Sequence, residues 1–252
     1  MYVLVAVILT VLVQTGLAAT SALQRGKSTT PVRVLIVTGG HNFEEDAFFA
    51  MFDAMKSVTW THARFGSGAE EKLNPEAGRA FDAVVFYDMY QKKERHRAGW
   101  LAMLAEGKGT VFLHHALGSY IDWEEYNQIV GGKAVFHKRM DGDVELPRTR
   151  FKPNISHVVH IADKSHPITK GLRDFSITDE VYSNYYVNSD VHVLLTSSHP
   201  DSGAWLGWTH QYKKSRVVCL TPGHDHLTYE NPQYRKILER AILWASSKSM
   251  KN

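Results

Sequence analysis

Apolar residues in this chain fall into short runs separated by stretches of helical spacing, and the alternation predicts a sheet with helices between its strands. RVLIVTGGHNF reads as a strand ending at Thr38, followed by a two-glycine turn and His41. From Glu44 to Met55, Phe48, Phe49, Phe52 and Met55 recur at helical spacing. FDAVVFYD is a second strand, and KKERHRAGWLAMLAEG is a helix that buries Trp100, Leu101 and Leu104 and closes at Gly107. GTVFLHH is a third strand, and WEEYNQIVGG is a helix stopped by Gly131 and Gly132. Strands that are apolar throughout and set between helices belong to a parallel sheet covered on both faces.

Residues 133–154 lose this periodicity and are expected to run over the sheet end as a long surface excursion. In the back half, ISHVVHIAD gives another apolar stretch. Residues 204–209 and 216–220 read as two strands joined through QYKKS, a hairpin that makes the sheet mixed on one side. A last helix follows Asn231 and Pro232, with Ile237, Leu238, Ala241, Ile242 and Trp244 on its core face. The expected fold is one α/β domain over residues 32–248: an open, mostly parallel sheet with helices on both faces.

Composition changes this picture little. The 252 residues are 44% hydrophobic and 22% charged, enough for one sizeable core. Lys and Arg total 29 against 26 Asp and Glu, with the basic residues scattered, so no nucleic-acid partner is expected. The lone Cys219 excludes an internal disulfide and, within RVVCLT, reads as a strand-core thiol. Residues 1–22, MYVLVAVILTVLVQTGLAATSA, resemble a secretory signal, although a positive first region is missing. The competing reading is an uncleaved N-terminal membrane anchor, but Gln14, Thr15 and Gly16 interrupt its apolar core. Export to the periplasm or the exterior is therefore expected, with no stable membrane span after processing and a flexible lead over residues 23–31.

The chemistry lies at the ends of the strands. In open α/β sheets, ligands sit beyond the carboxyl ends of parallel strands. Those positions hold His41, the pair His114 and His115, Thr209 with His210, and His224, Asp225 and His226 of TPGHDH. An imidazole can exchange a proton near neutrality or ligate a metal. His224, His226 and His41 are the candidate ligands for a divalent ion such as zinc, although no HExxH pattern occurs. Plainer readings compete: a structural, backbone-bonded pair for His114 and His115, and a loop facing water for GHDH. Glu180, in ITDEVYSNYY, could orient a histidine or move a proton, with Asp179 competing for the role. Tyr182 could offer a hydroxyl or a stacking surface, and His137, after GGKAVF, could cap the cleft. TGGHNF departs from GxGxxG, so no nucleotide cofactor is expected.

RVLIVTGGHNF, FDAVVFYD, GKGTVFLHHALGSY, WEEYNQIVGGKAVFH, ITDEVY and AWLGWTHQYKKSRVVCLTPGHDH occur in an order that resembles the trehalose-utilisation, or ThuA-like, family. The likeness covers about Val32 to Ala245. It implies a class I glutamine amidotransferase-like fold, a flavodoxin-like three-layer sandwich. The family pattern maps onto His41, His115, His137, Glu180, Trp208, His210, His224 and Asp225, with His114 and His226 as neighbouring alternatives. No cysteine stands at the elbow after the third strand, so glutamine amidotransfer is not implied. The resemblance implies a carbohydrate-active lyase or isomerase acting on a small carbohydrate, including oxidised glycosides with a ring carbonyl. His115, His210 or His224 would remove the proton beside that carbonyl, and Glu180 would assist. His41, His114, His137, Tyr182, Trp208 and Asp225 would bind substrate. Metal-assisted glycoside hydrolysis, or a noncatalytic carbohydrate-binding or scaffold role, are the alternatives. The sequence assigns no oligomeric state.

Overall fold

A computed structural model describes residues 30–137 and 139–247. Export signal, membrane anchor and nearly all of the flexible lead therefore lie outside the described residues. Among those described, no helix is long and apolar enough to cross a membrane.

Nine strands form the main sheet: β1 (Val32–Gly39), β2 (Val58–Arg64), β3 (Ala83–Asp88), β4 (Gly109–Leu113), β5 (Arg150–Ile161), β6 (Phe175–Ser183), β7 (His192–Thr196), β8 (Trp205–Tyr212) and β9 (Ser215–Leu220). Their order is β2-β1-β3-β4-β9-β8-β7-β5-β6. The first five run parallel. Each of the four remaining pairings is antiparallel. This corrects the expectation of a mostly parallel sheet. Crossover helices enforce parallel pairing only where they intervene, and from β5 onward the main-sheet strands follow one another without long helices until β9 is complete. The QYKKS hairpin is present: Tyr212 pairs with Ser215, and Lys213 takes a φ of 53° at the turn.

Four longer helices cover the sheet: α1 (Glu45–Asp53), α2 (Arg97–Glu106), α3 (Glu124–Val130) and α4 (Pro232–Ala245). Strand alternation sends Val34, Ile36, Val85 and Val111 to one face, against Phe48 and Phe52 of α1 and Ile237 and Ile242 of α4. Leu35, Val37, Phe86 and Phe112 go to the other, against Trp100 of α2 and Ile129 of α3. Cys219 is buried on that second face, as its apolar neighbours predict. Both faces of the parallel half are therefore closed, and its carboxyl edge is where open α/β sheets receive ligands.

The excursion after α3 crosses that edge. It is tied down where Ala134 N donates to Leu117 O and Thr149 N donates to Val135 O, and where Gly132–Lys133 pairs with Tyr186–Val187.

Candidate functional site

Three parallel strands deliver their loops to one place. After β4 the chain enters a tight 3-10 turn, His114–Gly118, and His114 takes a φ of 40°. A non-glycine residue in that region costs on the order of 1–3 kcal/mol and persists only where the surroundings hold it. Here they do. Nδ1 of His114 lies 2.7 Å from Thr221 O, and because a carbonyl can only accept, Nδ1 carries the proton. In the neutral ring, Nε2 then accepts from the Tyr182 hydroxyl at 2.8 Å, and it also lies 3.4 Å from Glu180 Oε1.

Loop β9 supplies His224. Gly223 has a φ of 127°, and a Cβ there would stand 2.4 Å from the Tyr234 hydroxyl, so only glycine fits the turn. Buried Asp179 holds the loop, accepting from Gly223 N at 2.7 Å and His224 N at 3.0 Å. Alternation along β6 explains the division of labour. Asp179 faces inward to grip backbone, whereas Glu180 and Tyr182, two residues apart, share the opposite face toward the cavity. Asp225 caps the one-turn helix His226–Tyr229 through Leu227 N and lies 3.4 Å from Nδ1 of His224, so it orients that ring.

Loop β1 supplies His41, whose ring stacks on His115 with centroids 4.0 Å apart. His115 is 4% exposed, and its Nε2 has no hydrogen-bond partner. A buried imidazole nitrogen without a partner costs free energy; His96, away from the cavity, carries one too, so it is the clustering of ligating groups that sets His115 apart. Ligating atoms of His114, His115, Glu180 and His224 lie within 4.8 Å of one another. His41, His115, Glu180, Tyr182 and His224 line a cavity of about 140 Å³, whose remaining walls are mostly apolar.

Protonation follows from this packing. Burial, reinforced by the imidazoles of His114, His41 and His224, holds His115 far below the ordinary histidine range, so it is neutral. Burial would raise Glu180, but its polar contacts with His114, His224 and Tyr182 outweigh it and hold the carboxyl below its usual value, so it is ionised. Burial raises Asp179. Tyr182 is raised well above its usual value, by burial first and then by Glu180, and stays an O–H donor.

The His/Glu group could hold a metal ion. His115 Nε2 is unsatisfied, and the Thr221 carbonyl fixes the His114 tautomer in the way that outer hydrogen bonds orient metal-binding imidazoles. Tyr182 already occupies His114 Nε2, which leaves His115, Glu180 and His224 as the more open set; of the expected ligands His224, His226 and His41, only His224 belongs to the group.

Of the residues expected from sequence, His41, His114, His115, Glu180, Tyr182, His224 and Asp225 come together. The others do not. β8 runs antiparallel to β9, so its end lies at the opposite edge of the sheet; there His210 Nε2 donates to Ile129 O at 2.9 Å. Trp208 is fully buried, and its indole donates to Val130 O. His226 turns outward to Glu44, with Nδ1 2.9 Å from Oε2, and does not join the metal-competent group. His137 is exposed and does not line the cavity. Sequence reasoning missed Asp179 as the loop's anchor and the apolar walls Met89, Phe136 and Phe151. Alternation along ITDEVY was the available signal for Asp179.

Comparison with known proteins bears on this arrangement. The ThuA family model, described as trehalose utilisation, matches residues 33–245. A ThuA-like protein from Parabacteroides merdae ATCC 43184 superposes with a TM-score of 0.72 at 18% identity, covering 88% of this chain and 93% of its own. Another from Bacteroides uniformis ATCC 8492 gives 0.64 at 18%, covering 86% and 93%. A beta-galactosidase from Bacillus circulans sp. alkalophilus gives 0.56 at 9%, covering 86% of this chain but 32% of its own. At such identities the likeness shows the fold alone. No curated protein matches the sequence significantly.

Proposed function

The chain belongs to the trehalose-utilisation (ThuA) family, and from that premise and the geometry of the pocket we propose that it is an enzyme acting on a small, oxidised glycoside with a ring carbonyl. One observation carries the reading: a buried imidazole without a partner, His115, shares a cavity with an ionised carboxylate and two further histidines. Glu180 takes the proton from the carbon beside the carbonyl, being both ionised and in the cavity. Negative charge then develops on the carbonyl oxygen. His224, oriented by Asp225 at Nδ1, lies within the same group of ligating atoms and, when its Nε2 is also protonated, donates toward that oxygen or the leaving group. Neutral His115 and stacked His41 shape the sugar's seat, and elimination or isomerisation completes the reaction.

A second reading is favoured by the clustering of the four ligating groups. His115, Glu180 and His224, with His114 behind them, suit a divalent ion such as zinc. When bound, such an ion supplies Lewis acidity and an activated water, the chemistry of glycoside hydrolysis. Metal analysis, followed by chelation and readdition, separates the two readings: activity that survives chelation belongs to the first.

Turnover of oxidised and plain disaccharides tests the proposal. Consumption of the carbonyl form alone is expected, and equal treatment of the two forms contradicts it.

A further inference from the structure

The cavity divides into a polar part and an apolar part, and the apolar part has no use in the proton transfer above. Its walls are Met89, Ala134, Phe136, Thr149 and Phe151. Gly118 makes the close approach possible: a Cβ there would stand 3.1 Å from the Phe136 ring and 3.3 Å from the Met89 methyl, so both side chains fold over a bare backbone. Phe151 is 68% exposed and packs on neither core cluster. It pairs across the β5–β6 arm with Tyr182, which places it on the same face as the hydroxyl that touches His114. Phe151 is thus open to a ligand, whereas Phe136, half-buried against the second core cluster, also lines the cavity.

We propose that this wall seats the aryl group of an aromatic glycoside, with the sugar ring at the histidine–carboxylate end; the inference rests on the function proposed above. Size gives the first reason. A void of about 140 Å³ is comparable to one of about 150 Å³ that takes a single benzene, so the enclosed part fits one six-membered ring and a second must lie against the mouth. Chemistry gives the second. A glycosyl leaving group needs hydrogen bonds for its hydroxyls, yet among the described residues the only polar side chain on this wall is Thr149, and its hydroxyl is engaged: it accepts from Val135 N at 2.8 Å and donates to Asn184 O at 3.1 Å. An aryl ring asks for none and stacks well on Phe151 and Phe136.

Calorimetric titration of the full chain with phenyl and methyl glucosides carrying a ring ketone, and with phenol alone, tests the assignment. Wild type is expected to bind the phenyl glycoside about tenfold tighter than the methyl glycoside. Phe151→Ala, on an exposed side chain outside both cores, should bring the ratio close to one without changing methyl glycoside affinity, and Phe151→Trp should keep it. Equal wild-type affinities, or a preference that survives Phe151→Ala, overturn the aryl seat and leave the sugar reading standing. Phenol binding as tightly as the phenyl glycoside, with the methyl glycoside unbound, overturns the sugar reading and supports the aryl wall.

Discussion

Two groups of histidines in this molecule meet carboxylates, and their environments differ in every respect that matters to chemistry. At the surface, His192 lies 2.8 Å from Asp163 and His160 lies 2.8 Å from Asp174, both pairs partly in water. Asp163 also accepts from Ser165 and from His166 N, which keeps it well below the usual carboxylate range. These pairs are satisfied and exposed. In the cavity, by contrast, His115 is buried with an empty nitrogen, and His114 sits on a strained backbone. Close contact with an acid therefore does not mark a functional histidine. Burial without full satisfaction does so only where ligating groups cluster around a cavity, as at His115; His96, away from the cavity, has the first without the second.

Removing the carboxylate should break this contrast most severely. Glu180→Gln keeps the shape and hydrogen-bonding reach but cannot accept a proton, so kcat on a ring-keto glycoside should fall by roughly 10²–10⁴-fold. Steady-state kinetics and a melting curve together separate this loss from unfolding.

A large stability effect is expected beneath the site. Asp88, at the end of β3, is fully buried, and burial pushes it up to about 7 despite its hydrogen bonds with Ser119 and Tyr90 N. A folded-state value above the unfolded one means that its stabilising contribution is complete below about pH 4 and is lost as pH rises through about 7. The loss is on the order of 4 kcal/mol. Asp88→Asn should flatten that fall in denaturant titrations between pH 4 and 7, and an unchanged slope would contradict the assignment.

Asp179→Ala is expected to cost about 1–3 kcal/mol, because Gly223 N and His224 N lose their shared acceptor. If Asp179 positions the loop, kcat should fall more steeply than stability alone explains. The smallest effect belongs to the surface group: His192→Ala should leave both melting temperature and turnover nearly unchanged, and a marked loss of turnover would erase the distinction drawn between the two groups.

Much of this was legible in the chain. Apolar runs that end in glycine and histidine located β1 and β4 with their loops, and QYKKS located the hairpin. Loop ends were readable because a strand's carboxyl end is fixed once its direction is known. Direction is what periodicity does not carry. An antiparallel β8 sends His210 to the far edge although its sequence resembles a loop-bound histidine. His226 fails for a different reason, since its partner Glu44 is 182 positions away. The importance of His114 lies in a backbone angle, which residue type does not announce. Phe136 and Phe151 sit in or beside the excursion, where neither helical nor strand spacing separates a wall from a surface side chain.

Proton abstraction by the buried cluster is the centre of the account, and exchange of the proton beside the carbonyl measures it without assuming a product. A ring-keto glycoside incubated with the protein in D₂O should incorporate deuterium at that carbon, as read by NMR, and Glu180→Gln should nearly abolish the incorporation. Exchange at the same rate in the variant, or none in the wild type above the buffer background, would contradict it.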